Sequence, residues 1–199
     1  MPADSFKAYL SQFGEIDADA LNELLGCFTP TLLSKFDFFT REDEVANIFG
    51  FLENGIVRAY VRNSEAKEFN KQFFVGPSII GAYTSLLTKQ PSKIIHEALT
   101  DCNLIVADYK KVTDLYDRHH SLERIGRKIA EFYYIEKERK LIEQAILDAE
   151  KRYLIFKENF SHIENDIPQY HIASYIGVTP TQLSRIRKKM SQSKISLHM

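Results

Sequence analysis

The feature that most constrains the fold is a long stretch without helix-breaking residues. Residues 121–150 contain no proline and a single glycine, Gly126. About 30 such residues predict a helix of ~45 Å that links two domains. An apolar seam at three- and four-residue spacing follows one face of this helix and comprises Leu122, Ile125, Ile129 and Phe132. We expect the seam to pair with that of a second copy in a homodimer. The alternative is that the helix packs on the chain's own domain. The charged run at residues 136–140 interrupts the apolar seam and leaves this alternative open.

The region before this helix is typical of β-structure. Between residues 32 and 106, short apolar runs alternate with turn residues. Asn54-Gly55 predicts a type I′ hairpin turn, because both residue types accept a positive φ, and residues 63–67 predict a second turn. We predict strands over residues 35–39, 47–52, 56–61, 69–75, 94–99 and 103–106. Strands joined in this way favour an antiparallel sandwich or barrel, which two short helices within residues 5–28 would cover.

Composition restricts the compartment and the chemistry. No stretch approaches the roughly 20 apolar residues of a membrane helix, and the N-terminus lacks the basic-then-apolar pattern of a signal peptide. We therefore expect a cytoplasmic protein with no membrane partner. Cys27 and Cys102 are far apart and belong to no CxxC or Cys/His cluster, so we expect two core residues rather than a disulfide framework, a zinc knuckle or a four-cysteine iron–sulfur site.

Charge is distributed unevenly along the chain. Residues 167–199 contain five basic residues and no acidic residue, whereas residues 1–166 contain 21 basic and 27 acidic residues, a formal charge of −6. A small basic end on an acidic body is the asymmetry expected when only that end meets phosphate.

Residues 167–190 predict two short helices with a tight turn between them. Pro168 can open the first helix, and Gly177 supplies the left-handed residue that ends it. Thr179 suits the N-cap of the second helix, Pro180 its first position, and Gln182 completes a capping box with Thr179. This is the outline of a helix-turn-helix.

The second helix has two different faces. At about 100° per residue, Leu183, Ile186 and Met190 face the first helix, and Arg185 lies on the opposite side. Arg185 is the expected base reader, since its fork matches O6 and N7 of guanine, whereas Arg187 and Lys189 are better placed for phosphates. The expected DNA-binding residues are Thr179, Pro180, Thr181, Gln182, Ser184, Arg185, Arg187, Lys188 and Lys189. The alternative is an ordinary helical hairpin with a solvated basic face.

With these motifs in place, the chain resembles the cyclic-AMP receptor protein/FNR (Crp/Fnr) family of bacterial regulators. The resemblance covers nearly the whole chain and is most specific in residues 172–180 and 183–189. It implies an α+β fold: a cupin-like, cyclic-nucleotide-binding-domain-like antiparallel β-barrel with N-terminal helices over residues 1–120, a dimerisation helix over 121–150 and a helix-turn-helix domain over 151–199, with a wing that is short or absent. It also implies double-stranded DNA and a second copy as partners, with RNA polymerase as a further candidate. The base-contacting positions of the family fall on Pro180, Thr181 and Arg185.

The sensor region departs from the family pattern. Members that bind cyclic nucleotides carry a Gly-Glu pair and, ten residues after the Glu, an Arg-Ser or Arg-Thr. This chain has Gly81-Ala82 and Ser92-Lys93 instead. Without the ribose-binding carboxylate and the arginine fork, we do not expect cyclic AMP to bind. The degenerate ligand pocket would comprise Gly81, Ala82, Tyr83, Ser92 and Lys93, and Lys93 could meet an anion only as a point charge. We expect no cofactor, and FNR-type cysteines are missing as well.

Two other functions compete with a DNA-binding regulator. An enzyme needs convergent ligands or a nucleophile, and the six histidines show no HxH or HxxxH spacing. We therefore predict no catalytic residue and no metal site. The second competitor is a sensor or scaffold that binds a protein partner and no longer binds DNA, and salt-dependent DNA binding would separate it from a regulator.

Overall fold

The computed structural model describes residues 2–196, and strands dominate its first half. Two helices come first, α1 (Pro2–Ser11) and α2 (Ala18–Gly26). The strands are β1 (Thr29–Leu33), β2 (Phe38–Thr40), β3 (Ile48–Asn54), β4 (Ile56–Arg62), β5 (Glu68–Val75), β6 (Ser78–Ile80), β7 (Ile95–Ala98) and β8 (Cys102–Asp108). The remaining helices are α3 (Tyr83–Thr88), α4 (Tyr109–Thr113), α5 (His120–Ile146), α6 (Ala149–Phe160), α7 (Gln169–Ile176) and α8 (Pro180–Ser196).

The strands form two antiparallel sheets of four strands each. One sheet has the order β1-β8-β3-β6 and the other β2-β7-β4-β5. In the described part of the chain, no ladder joins the two sheets into one closed cylinder. The expected barrel is therefore two facing sheets with a shared interior. The prediction missed β1, whose Pro30 and weak apolar alternation do not indicate a strand, and the three-residue β6.

Gly55 does not form the hairpin turn that the sequence predicts. The strands on either side of it, β3 and β4, belong to different sheets. Of the pair Asn54-Gly55, only Gly55 has a positive φ, +101°, so the chain turns a corner there instead of forming a type I′ turn. A Cβ on Gly55 would lie 2.5 Å from Cys102 Sγ and 2.7 Å from the Asp101 carbonyl oxygen. The glycine is required by this close approach as well as by its backbone angle. The true hairpin joins β4 to β5 through residues 63–67, as predicted for the second turn.

The first half of α5 packs on its own sensor domain. Leu122 and Ile125 are buried in one cluster with Phe6 of α1 and Phe51 of β3, and Ile129 packs against it. The predicted dimer seam is thus wrong for Leu122 and Ile125, because these side chains are already covered within one protomer. Phe132 is half-exposed and contacts the Phe13 ring, with ring centroids 5.8 Å apart. The alternative of packing on the same domain holds for this half of the helix.

The opposite face of α5 carries a second set of apolar residues. Helical spacing places them on the side away from the sensor domain. They are Tyr134, Ile135, Leu141, Ile142 and Ile146, and each has 52–73% of its surface exposed. We name this set the outer stripe. Its exposure marks it as a surface for association.

The long helix ends earlier than the sequence predicts. A helix was expected to continue to residue 150, but α5 stops at Ile146. Asp148 then caps α6, since its side chain accepts a hydrogen bond of 2.9 Å from the Lys151 amide. The N-cap conformation is extended rather than helical, so the aspartate divides one predicted helix into two.

Candidate nucleic-acid interface

The turn between α7 and α8 follows the predicted pattern. Gly177 ends α7 in the left-handed conformation with φ +74°. The Thr179 amide donates to Gln182 Oε1 at 2.9 Å, and the Gln182 amide donates to Thr179 Oγ1 at 3.2 Å. These reciprocal bonds form a capping box, which satisfies amides that the first turn of α8 cannot pair internally.

The two helices share an apolar core. Ile172, Ala173 and Ile176 of α7 are buried against Leu183 and Ile186 of α8, as predicted. Helix α6 completes this core with Tyr153 and Phe156. The helix-turn-helix therefore rests on a third helix that fixes the angle of α8.

The outward face of α8 presents polar and basic groups to solvent. Thr181, Ser184, Arg185 and Lys188 are all exposed. Arg185 makes no hydrogen bond or ion pair with any residue that the structure describes. Its guanidinium is consequently available to a ligand without loss of an internal partner. Thr179, Pro180 and Gln182 lie exposed at the beginning of the same helix.

Two of the basic residues expected to meet phosphates have acidic partners. Lys189 Nζ lies 2.6 Å from Glu150 Oε1, and Arg187 Nη2 lies 3.6 Å from Glu164 Oε1. Glu164 also accepts a short hydrogen bond from the Tyr153 hydroxyl. Both ion pairs join α8 to the segment before it. The sequence did not indicate these two ion pairs, because residues 167–199 contain no acidic residue and both glutamates lie before that segment.

A buried polar network attaches the helix-turn-helix to the sensor sheet. Arg58 of β4 donates to Glu97 of β7 at 3.0 Å, to Glu68 of β5 at 2.6 Å and to Asn70 at 3.2 Å. Arg58 also lies 3.2 Å from Nδ1 of His171 in α7. Arg58 is only 4% exposed, so its charge depends on these partners. From the sequence, Arg58 is predicted only to lie in a strand; a charged residue within an apolar run was the signal of its role.

Charge and burial set the ionisation of this network. Burial, followed by the positive charge of Arg58, lowers the pKa of His171 to about 4. Burial raises the pKa of Glu68, but the hydrogen bonds and charges of Arg58 and Arg62 outweigh it, and the net shift is downward. At neutral pH, the network thus holds a neutral His171 and an ionised Glu68.

Further contacts extend this attachment along α7. The Asn70 side-chain amide donates to the His171 carbonyl oxygen at 3.0 Å, and the Asn70 backbone amide donates to Ser174 Oγ at 2.9 Å. Tyr175 lies against Phe73, with ring centroids 5.0 Å apart. The first helix of the helix-turn-helix is therefore bound to β5 along its length.

The five predicted pocket residues do not converge on one site. Lys93 points outward and pairs with Asp43 at 2.6 Å, with 72% of its side chain exposed. The Ser92 hydroxyl donates to the Ile94 carbonyl oxygen at 2.9 Å, a local turn contact. Tyr83 is half-exposed, whereas Ala82 is buried with Leu86. Gly81 lies against Phe49. Lys93 therefore faces solvent rather than the space between the sheets, and the ligand pocket stays a prediction.

Aromatic residues occupy the space between the sheets. His96 is buried between Phe39 and Phe74, and burial lowers its pKa to about 4. Tyr133 of α5 enters from the side: its hydroxyl donates to the Ile79 carbonyl oxygen at 3.2 Å and accepts from the Ile79 amide at 3.1 Å. Tyr133 therefore fixes α5 to strand β6.

Comparison with known proteins identifies the fold. No family model and no curated protein sequence matches the chain. Among solved structures, a crp/fnr-family transcriptional regulator from Eubacterium rectale aligns with a TM-score of 0.71 at 11% identity, covering 89% of this chain and 85% of that one. The c-di-GMP responsive global regulator CLP from Xanthomonas campestris aligns with a TM-score of 0.70 at 17% identity, covering 89% and 93%. A cyclic nucleotide-binding domain from Methylobacillus flagellatus gives a TM-score of 0.62 at 10% identity over 70% of this chain and 82% of that one.

These alignments confirm the expected fold, in which antiparallel sheets resembling a cyclic-nucleotide-binding domain are followed by a long helix and a helix-turn-helix. The alignment with the Eubacterium rectale regulator spans most of both chains, so the order of these parts is shared as well. Among the helices described here, none combines the length and the apolar character needed to cross a membrane.

Proposed function

We propose that this chain is a sequence-specific transcription regulator of the Crp/Fnr type, which binds double-stranded DNA in the cytoplasm as a homodimer. The observation that carries the proposal is the outward face of α8. It combines a capped helix N-terminus, small polar side chains and an arginine that has no partner among the described residues, on a helix that packs on an apolar core. This combination suits insertion into a major groove.

The outer stripe of α5 supports the homodimer. Its five apolar side chains are exposed in one protomer, and pairing with a second copy would remove them from water. A two-fold dimer would place two α8 helices for half-sites about 34 Å apart, one turn of DNA. The contact between the helices thereby sets the operator spacing.

The contacts between the parts support control by a signal. Helix α5 contacts the sensor through Tyr133, and α7 contacts it through Arg58. A change at the sensor would bias the position of both helices, and hence the spacing of the recognition helices. We propose no catalytic activity for the chain and no requirement for cyclic AMP. RNA polymerase is the candidate partner downstream of DNA binding.

Selection from random duplex DNA tests this function. Purified protein is mixed with the pool, and retained duplexes are sequenced for the wild type, for Arg185→Ala and for Arg118→Ala as an exposed sensor-domain control. The proposal predicts a palindrome with half-sites about one helical turn apart, which the control retains and Arg185→Ala loses. Absence of enrichment, with and without cell extract as a source of signal, would instead favour the protein-binding scaffold.

A further inference from the structure

A cleft lies where the sensor, the long helix and the helix-turn-helix meet. It has a volume of about 220 Å³ and is bounded by β5, α5, α6 and α7. We name it the junction cleft. The lining residues used below are Glu136, Arg139, Lys140, Glu143, Phe156 and Tyr175. Since drug-sized ligands occupy roughly 300–1,000 Å³, this cleft suits a smaller molecule.

Lys140 is the unusual group in the cleft. Its Nζ donates to the Lys71 carbonyl oxygen at 2.8 Å and lies 2.9 Å from the centroid of the Tyr175 ring. Burial, and then the nearby positive charge of Lys71, lowers the pKa of Lys140 to about 6. The ammonium form is therefore held by a carbonyl oxygen and an aromatic face and by no acidic group in contact with it.

The two glutamates of the cleft, Glu136 and Glu143, form ion pairs with Arg139. Arg139 Nη2 lies 2.7 Å from Glu136, and Arg139 Nε lies 3.6 Å from Glu143. Neither glutamate forms an ion pair with Lys140 in the described structure, and the more distant charge of Glu143 offsets only part of the lowering of the Lys140 pKa. A carboxylate brought by a ligand would give Lys140 its missing counter-ion, which favours the charged form of the amine.

The wall beside Lys140 is aromatic. Phe156, Phe160 and Tyr175 form a cluster with ring centroids 5.4–5.9 Å apart. Arg152 closes the end of the cleft, but its Nε and Nη1 already bind the carbonyl oxygens of Ile176 and Leu147, so neither edge of the guanidinium has both of its nitrogens unbound. No arginine fork is therefore available for a phosphate, whose recognition favours bidentate donors. One point charge beside flat apolar rings matches a ligand with one carboxylate and one ring.

We propose that the junction cleft binds a small aromatic monocarboxylate, with the carboxylate on Lys140 Nζ and the ring against Phe156, Phe160 and Tyr175. A bound ligand would contact α5 and α7 together and stabilise their present arrangement. By stabilising this arrangement, the ligand would change the affinity for DNA, and this consequence rests on the proposed DNA-binding function. Binding itself does not depend on that function, so the two can fail separately.

Calorimetric titration with benzoate, without DNA, tests the proposal. The proteins are the wild type, Lys140→Met and Lys137→Met, which removes the same charge from an exposed position on the same helix. We expect benzoate to bind the wild type and Lys137→Met with equal affinity, and Lys140→Met at least tenfold more weakly. At pH 7.5, the observed heat should vary with the ionisation enthalpy of the buffer, because binding charges Lys140 by proton uptake. Benzamide, which has the ring without the charge, should not bind.

A second variant keeps the test decisive if Lys140→Met does not fold. Gln144→Glu adds a negative charge at an exposed position that lines the cleft, and it should weaken benzoate binding at least threefold. Equal affinity of benzoate for the wild type and for Lys140→Met or Gln144→Glu would overturn the proposal. So would the absence of benzoate binding to the wild type at millimolar concentration, or binding of inorganic phosphate in preference to benzoate.

Discussion

Arg58 Nη1 of the sensor sheet lies 3.2 Å from Nδ1 of His171 in the first helix of the helix-turn-helix. Because a guanidinium can only donate, Nδ1 must accept, and the ring proton of the neutral histidine resides on Nε2. The contact therefore requires an unprotonated His171. It links the ionisation of one side chain to the attachment of the helix-turn-helix to the sheet that carries Arg58.

Acid should lower the stability of the fold, both through this contact and through the buried His96. His171 and His96 both have pKa values lowered to about 4, against about 6.5 in an unfolded chain. The unfolded state thus binds more protons between these pH values. The stabilisation is complete above pH 6.5, decreases by up to about 1.4 kcal/mol per pH unit for each histidine on acidification, and changes no further below pH 4. Glu68, whose pKa is lowered, contributes in the same direction at lower pH.

Urea unfolding between pH 4.5 and 7.5 measures this dependence. His171→Asn keeps an acceptor for Arg58 but cannot be protonated in this range, so its free energy of unfolding should depend less steeply on pH than that of the wild type. An identical slope for the two proteins would show that His171 does not carry the effect.

Removal of Arg58 should be costly. Arg58→Met leaves Glu97 and Glu68 without their buried counter-ion, and breaking such a pair costs about 3–5 kcal/mol. Arg62→Met removes an arginine that is 40% exposed in its side chain and pairs with the same Glu68, and should cost below about 1 kcal/mol. Equilibrium unfolding gives both numbers. Hydrogen exchange should increase in α7 for Arg58→Met, and equal losses for the two variants would contradict the role given to Arg58.

The two faces of α5 predict opposite outcomes for the same kind of substitution. Ile142→Lys, on the outer stripe, should convert a dimer to a monomer while thermal stability of the protomer is retained. Ile129→Lys should destabilise the protomer by about 1–2 kcal/mol, because it places a charge at a partly buried position against the apolar core. Sedimentation and thermal unfolding separate these effects. Dimerisation that survives Ile142→Lys would refute the assignment of the outer stripe.

Two glycines provide a matched test of the corner between the sheets. Gly55→Ala forces a Cβ to within 2.5 Å of Cys102 Sγ at a positive φ, and should destabilise by about 2 kcal/mol or more. Gly26→Ala, at the end of α2, meets no atom within 4 Å and has no positive φ, and should stabilise by about 0.5 kcal/mol. If Gly55→Ala unfolds at the same temperature as the wild type, the corner tolerates a side chain and our explanation of Gly55 is wrong.

The sequence was informative where signals are local. The capping box of Thr179 and Gln182 and the left-handed Gly177 depend on neighbouring residues, and the structure has them as predicted. Asn54-Gly55 was misleading because the same pair can turn a corner between sheets. A local pattern does not specify which strands pair in a sheet.

Contacts between distant segments could not be predicted from spacing. The apolar repeat of α5 indicates a buried face, but an intramolecular core and a dimer seam produce the same repeat. Only the position of α1 shows that Leu122 is covered within the protomer. The partners of Arg58 are likewise spread over β5, β7 and α7, up to 113 residues away.

The most direct test of the central claim is the affinity of the protein for its selected operator and for each single base-pair substitution of it, measured over a range of salt. Arg185→Ala should lose about 1–3 kcal/mol and relax the preference at one guanine in each half-site. Lys189→Ala, at a residue expected to meet phosphate, should weaken all sequences alike and reduce the salt slope by about one. If Arg185→Ala keeps the wild-type preference at every position, α8 does not read the operator and the account fails.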